Sequence, residues 1–168
     1  MAFIKNSVGI GGKNEVLDVK IIQWMLKRTQ TFYSTNIFTT HYSIEENGII
    51  DLPTSGAIRD FINYRIRTRN SLSLKYQEIL KAKLNNLEFL STIPTQTTEQ
   101  FKPQYIFQPD DGNYQYLLKC SLNPVCEADG QPKNNFSTDP LAISAFRGTI
   151  SFYNFKNQAE AMDGKPCA

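Results

Sequence analysis

Few residues in this 168-residue chain carry chemistry, and their spacing narrows what they can do. There is one histidine, His41, and there are three cysteines, Cys120, Cys126 and Cys167. A cysteine–histidine nucleophilic pair would have to join His41 to Cys120 or Cys126. Neither cysteine sits at a recognisable helix start, where the first turn would lower the thiol pKa. A single histidine also removes the ligand sets of zinc amidases, and the cysteine spacing fits no structural zinc motif, so no metal site is expected. Glu45, Glu46 and Asp51 form the closest carboxylate group. Sugar hydrolysis needs two such groups across a glycosidic bond, but no sequence context marks a catalytic Glu here, and a solvated turn is the better reading of these three. Asp110 and Asp111 lack calcium-loop spacing and lie in the turn signal PDDG. Gly9, Gly11 and Gly12 permit unusual backbone angles, yet no Walker Lys-Ser/Thr follows, so they read as a tight loop leading into a helix. The inventory favours a non-enzymatic protein that needs no cofactor.

The elements that would position these residues follow from periodicity. A first helix is predicted over about Glu15 to Thr29, with Asn14 as N-cap and Val16, Val19, Ile22 and Leu26 buried. Trp24 falls off that stripe, and either packs against the C-terminal half or serves as an exposed platform for stacking on sugar rings. Residues 30 to 43 are read as a surface loop or short hairpin whose Tyr33, Phe38, His41 and Tyr42 line a groove above the second helix. Asn47-Gly48 supplies a turn, Pro53 and Thr54 start that second helix, at about 54 to 66, and Ala57, Ile58, Phe61 and Ile62 form its apolar stripe. Leu72, Tyr76, Ile79, Leu80, Leu84 and Leu87 recur at three or four residues and predict a third helix over Leu72 to Leu90.

Two of these blocks carry a resemblance. Val19, Ile22, Gln23 and Leu26 give V-x-x-I-Q-x-x-L, and Asn47-Gly48, Ile50, Asp51, Thr54, Ala57-Ile58 and Phe61-Ile62 follow at fixed spacing. Together they resemble the peptidoglycan-binding-like domain, whose pattern is roughly V-x-x-L-Q-x-x-L, a link, then D-G-x-F-G-x-x-T-x-x-A-V-x-x-F-Q. Asn47 stands for its usual Asp, Ile50 for an aromatic, Asp51 for a Gly and Ile62 for a Gln. The opening SVG-x-GG-x-N, followed by D-V-x-x-x-Q, also resembles the wall-binding heads of some proteins that bacteria inject into rivals through type VI secretion. The resemblance spans about residues 5 to 90 and implies a three-helix module recognising murein or its stem peptide. On its turn-helix block the ligand-binding candidates are Tyr42, Asn47, Asp51, Arg59 and Asn63, with Arg59 able to pair bidentately with a stem-peptide carboxylate.

After Pro94 the character changes, giving two expected regions, 1–93 helical and 94–168 a small α+β part that resembles no known family. Gln104–Gln108 against Tyr114–Lys119 is read as a hairpin, residues 120 to 137 as a loop, Pro140 to Gly148 as a short helix, and ISFYNF at 150–155 as a strand. In an oxidising compartment, Cys120 with Cys126, or either with Cys167, forms a disulfide; in the cytosol all three stay reduced. The expected class is α+β, mainly α. A net charge of +2 gives no argument for nucleic acid, and the Arg65, Arg67, Arg69 cluster reads as a solvated helix end. No run approaches the ~20 apolar residues of a membrane span, and the N-terminus lacks the apolar segment of a secretory signal. The expectation is a protein made in the bacterial cytoplasm that acts in the periplasm or envelope after specialised secretion, targeting peptidoglycan. Two alternatives stand beside it: an adaptor docking a secreted toxin or secretion component, and a small periplasmic toxin acting through its C-terminal region.

Overall fold

The computed structural model describes residues 2–84, 104–122, 125–126, 132–133 and 140–163. The architecture is α+β and mainly α. The described helices are α1 (Val16–Ile37), α2 (Leu52–Leu84), α3 (Gly112–Cys120), α4 (Pro140–Arg147) and α5 (Phe152–Ala161). Two short antiparallel pairs accompany them: β1 (Val8–Gly9) with β2 (Ile106–Phe107), and β3 (Val125–Cys126) with β4 (Pro132–Lys133).

Helix α1 is the axis of the fold. The expected stripe of Val19, Ile22 and Leu26 is buried, but so are Asp18, Ile21, Trp24, Met25 and Arg28, while Val16 is exposed. Lys20, Lys27 and Thr31 mark its solvent side. A helix covered over most of its circumference needs partners on several sides, and α1 packs against both α2 and α3. Trp24 is therefore core and not a platform. Its ring meets Phe152 and Phe155 edge-on at 5.5 and 5.9 Å, and its indole N–H donates to Glu160 at 2.9 Å. Arg28 lies 4.9 Å from the Trp24 ring centroid, donates through Nε to the Ser121 carbonyl at 2.7 Å and through Nη2 to Asp163 at 2.9 Å. A buried guanidinium is tolerable only when its donors and charge are matched, and these contacts fasten the end of α5 to α1. The N-terminal segment is tied down similarly: buried Asp18 accepts from the Lys5 and Asn6 backbone, and the Phe3 N–H donates to the Tyr114 hydroxyl.

Several expectations are corrected. Helix α1 continues eight residues beyond Thr29 to Ile37, with Tyr33 off helical geometry at φ −136°, so residues 30–37 are neither loop nor hairpin. Asn14 is not the N-cap; at φ +54° its side chain bonds back to Gly9 and Gly12. The second and third predicted helices are one helix, because nothing from Ala57 to Leu84 is glycine or proline to interrupt it. Residues 85–90 of the third lie outside the described residues. The hairpin expected over 104–119 does not form. Asp111 caps a helix instead, accepting from Tyr114 N at 2.7 Å, and Tyr114, Leu117 and Leu118 bury its inner face. Ile106–Phe107 pairs with the distant Val8–Gly9. ISFYNF is likewise helical from Phe152, capped by Ser151, with Phe155 and Ala159 buried one turn apart. The helix starting at Pro140 forms as expected, and Gly148 ends it at φ +69°. No described helix is long and apolar enough to cross a membrane.

Candidate functional site

The turn-helix block is built around Gln23, which is fully buried. Its Nε2 donates to Asn47 Oδ1 (2.9 Å), the Ile49 carbonyl (2.9 Å) and Thr54 Oγ1 (3.0 Å), and its Oε1 accepts from Gly48 N at 2.9 Å. An amide has two N–H donors, so one of the three acceptors shares a hydrogen. Gly48 must be glycine: its φ is +77°, and a Cβ there would stand 2.6 Å from Val16 Cγ1. Asp51 accepts from Thr54 N at 3.0 Å and from Asn47 Nδ2 at 3.1 Å at the start of α2. Burial raises the Asp51 pKa, but hydrogen bonds from Thr54 and Asn47 outweigh it and hold the carboxyl below its usual range. Such a group is poorly suited to be a general acid. Of its neighbours, Glu46 pairs with Lys156 at 2.9 Å and Glu45 is exposed.

Tyr42 and Arg59 meet in one groove with Ile10, Leu52, Ser55, Gly56, Ile58 and Tyr105, enclosing about 210 Å³. Tyr42 is pinned from several directions. Its backbone exchanges two 2.8 Å hydrogen bonds with the Gln30 side chain, and its hydroxyl donates to Asp60 at 2.6 Å. Its ring rests on α2 because residue 56 has no side chain: a Cβ on Gly56 would meet Tyr42 Cε1 at 2.6 Å. Tyr105 and Ile10 arrive together through the β1–β2 pairing. At Gly9 (φ +142°) a Cβ would fall 2.2 Å from the Tyr105 carbonyl oxygen, so the glycine loop is what lets these backbones approach.

The sequence candidates thus divide. Tyr42 and Arg59 line the groove, Asn47 and Asp51 belong to the hub beneath the α2 N-terminus, and Asn63 Oδ1 accepts from the Tyr105 hydroxyl at 3.0 Å. Phe38 is buried, edge-on to Tyr42 at 6.2 Å, and His41 is exposed. Sequence reasoning missed Ile10, Gly56 and Tyr105. The glycine cluster and the YIF run were visible, but no local signal paired segments almost a hundred residues apart.

Cys120 is buried and free, and burial pushes its thiol up to about 12. It is neither a bridge partner in this structure nor an activated nucleophile. Cys126 lies in β3 and Cys167 outside the described residues. No protein-family model, curated protein or solved structure matches this chain.

Proposed function

We propose that this chain is a non-enzymatic module that binds bacterial cell-wall peptidoglycan, with the groove between β1, β2 and α2 as its site. The observation that supports this is the convergence in one groove of two tyrosines, Tyr42 and Tyr105, apolar Ile10 and Ile58, and the exposed cation Arg59. Aromatic faces stack on sugar C–H surfaces, and a guanidinium pairs bidentately with a stem-peptide carboxylate. At about 210 Å³ the groove is smaller than the roughly 300–1,000 Å³ of drug-sized sites. It suits one sugar ring or one peptide residue at a time, and so weak binding multiplied along a polymer. Such binding raises the local concentration of an associated activity at the wall, consistent with a protein acting in the envelope after specialised secretion.

Sedimentation with insoluble murein sacculi tests the reading. The intact chain is expected to pellet at low salt, and Arg59→Ala to reduce the pelleted fraction severalfold. If the intact chain stays in the supernatant, the murein reading is lost. A second reading, an adaptor for a toxin or secretion component, rests on the exposed apolar rim: Ile10 is 67% and Leu52 87% exposed. Leu52→Glu would abolish such docking; because Leu52 also lines the groove, the pelleting of the unaltered chain, and not of this variant, separates the two readings.

A further inference from the structure

Beside the tyrosine groove lies a second cavity of about 320 Å³, lined by Ile37, Thr39, Asp60, Asn63, Ile66 and Arg67. Its polar residues on α2 stand at i, i+3 and i+7, one stripe of the helix. Asp60 is only 5% exposed. All its hydrogen bonds among the described residues fall on one oxygen: Oδ2 accepts from Thr39 N (3.0 Å), Thr39 Oγ1 (2.7 Å) and the Tyr42 hydroxyl (2.6 Å). Oδ1 accepts none among the described residues, on a side chain that lines the cavity. Burial raises the Asp60 pKa, but these donors outweigh it and hold the carboxyl below its usual range, so it is ionised at neutral pH. Asn63 spends its Oδ1 on Tyr105 and keeps Nδ2 as a donor. Arg67 is exposed and makes no ion pair among the described residues.

Two helical turns, about 10.5 Å of rise, separate the Asp60 and Arg67 backbones. Helical side chains lean toward the N-terminus, so Arg67 leans toward Asn63, and no ion pair among the described residues closes the gap to the Asp60 carboxylate. A ligand with its own ammonium and carboxylate a few ångströms apart fills that gap with opposite charges correctly placed. We propose that this cavity binds the zwitterionic head of an α-amino acid, with the ammonium on Asp60 Oδ1, the carboxylate between Arg67 and Asn63 Nδ2, and the side chain against Ile37 and Ile66. The assignment goes beyond the murein reading and does not depend on it.

Titration of the full chain with leucine, followed by amide NMR shifts at neutral pH, tests this. Leucine is expected to shift Thr39, Asn63 and Ile66 saturably, and N-acetyl-leucine and leucinamide to bind at least roughly tenfold more weakly. Arg67→Ala, at an exposed position, should weaken leucine to the level of leucinamide and leave leucinamide unchanged. Asp60→Asn disturbs three part-buried hydrogen bonds, so the N-acetyl comparison on the unaltered chain carries the ammonium arm. A short peptide with a diamino diacid residue, whose side chain ends in the same head, separates the two sources: tighter binding than leucine assigns a peptide-borne head, equal or weaker binding a free amino acid. The proposal is overturned by absence of saturable shifts at about 50 mM leucine, by equal binding of N-acetyl-leucine, or by shifts confined to the Ile10–Tyr105 groove. Sacculus sedimentation by the same samples reads the other site separately.

Discussion

Replacing Gln23 by leucine keeps the bulk of the side chain and removes the four hydrogen bonds that Gln23 makes. The Gly48 N–H is buried and loses its acceptor, at about 1–3 kcal/mol for an unsatisfied buried donor. Thr54 Oγ1, Asn47 Oδ1 and the Ile49 carbonyl each lose a donor. Asn47 and Ile49 are exposed enough to rehydrate, so these three together cost about 1.5–3 kcal/mol. Added apolar burial offsets roughly 1 kcal/mol. The net expectation is about 1.5–5 kcal/mol, a large share of the roughly 5–15 kcal/mol that holds a domain together. With a urea m-value of about 2 kcal/mol/M, the unfolding midpoint should fall by about 0.7–2.5 M at unchanged m. A fall below about 0.5 M would refute the reasoning: the turn would then be held by Gly48 and the Asp51 cap, with Gln23 a passenger.

Acid should weaken the fold in a defined window. Asp51 and Asp60 both titrate below the ordinary value of 3.8 in the folded chain, so the unfolded chain takes up their protons first. The stability they contribute is complete above that value and is lost as pH falls through and below it; urea midpoints from pH 7 to pH 2.5 should drop on the acid side, less steeply in Asp60→Asn. Cys120 should resist alkylation at pH 8 while the chain is folded, since a thiol with a pKa of about 12 is thiolate in only roughly one molecule in ten thousand. Peptide mapping after denaturation should show it modified, and rapid labelling in the native state would contradict its burial.

Much of the helical core was legible because its signals are local. The 3.6-residue stripe of α1, the Asn47-Gly48 turn and the Pro140–Gly148 helix all follow from residue types within one or two turns. What misled was the competition between β-propensity and period. YQYLL and ISFYNF are rich in aromatic residues, yet Asp111, ahead of the first, and Ser151, inside the second, act as helix caps. Tyr114, Leu117 and Leu118, like Phe155 and Ala159, bury at helical spacing, and partly buried Phe152 joins Phe155 in an aromatic cluster with Phe3 and Trp24 that only the folded chain assembles. β-propensity reports fitness for a half-buried pleated surface, and tertiary packing overrides it. The long reach of α2 was legible in principle, since the charged and polar stretch after Ile66 lacks any breaker.

The candidate site was half legible for a reason that bears on how it is tested. A motif such as N-G-x-x-D-x-x-T mixes residues that build the turn with residues that face outward, and spacing does not separate them. Burial and hydrogen bonding do: Asn47 and Asp51 hold Gln23, Thr54 and the first turn of α2, while Arg59 and Tyr105 line the groove. Loss of sacculus binding in Asn47→Ala or Asp51→Ala would therefore report a loosened helix start as readily as a lost ligand contact. Arg59 is exposed and makes no ion pair among the described residues, so Arg59→Ala reads the site with little effect on the fold. A binding loss there at an unchanged urea midpoint is a result that a structural role does not produce.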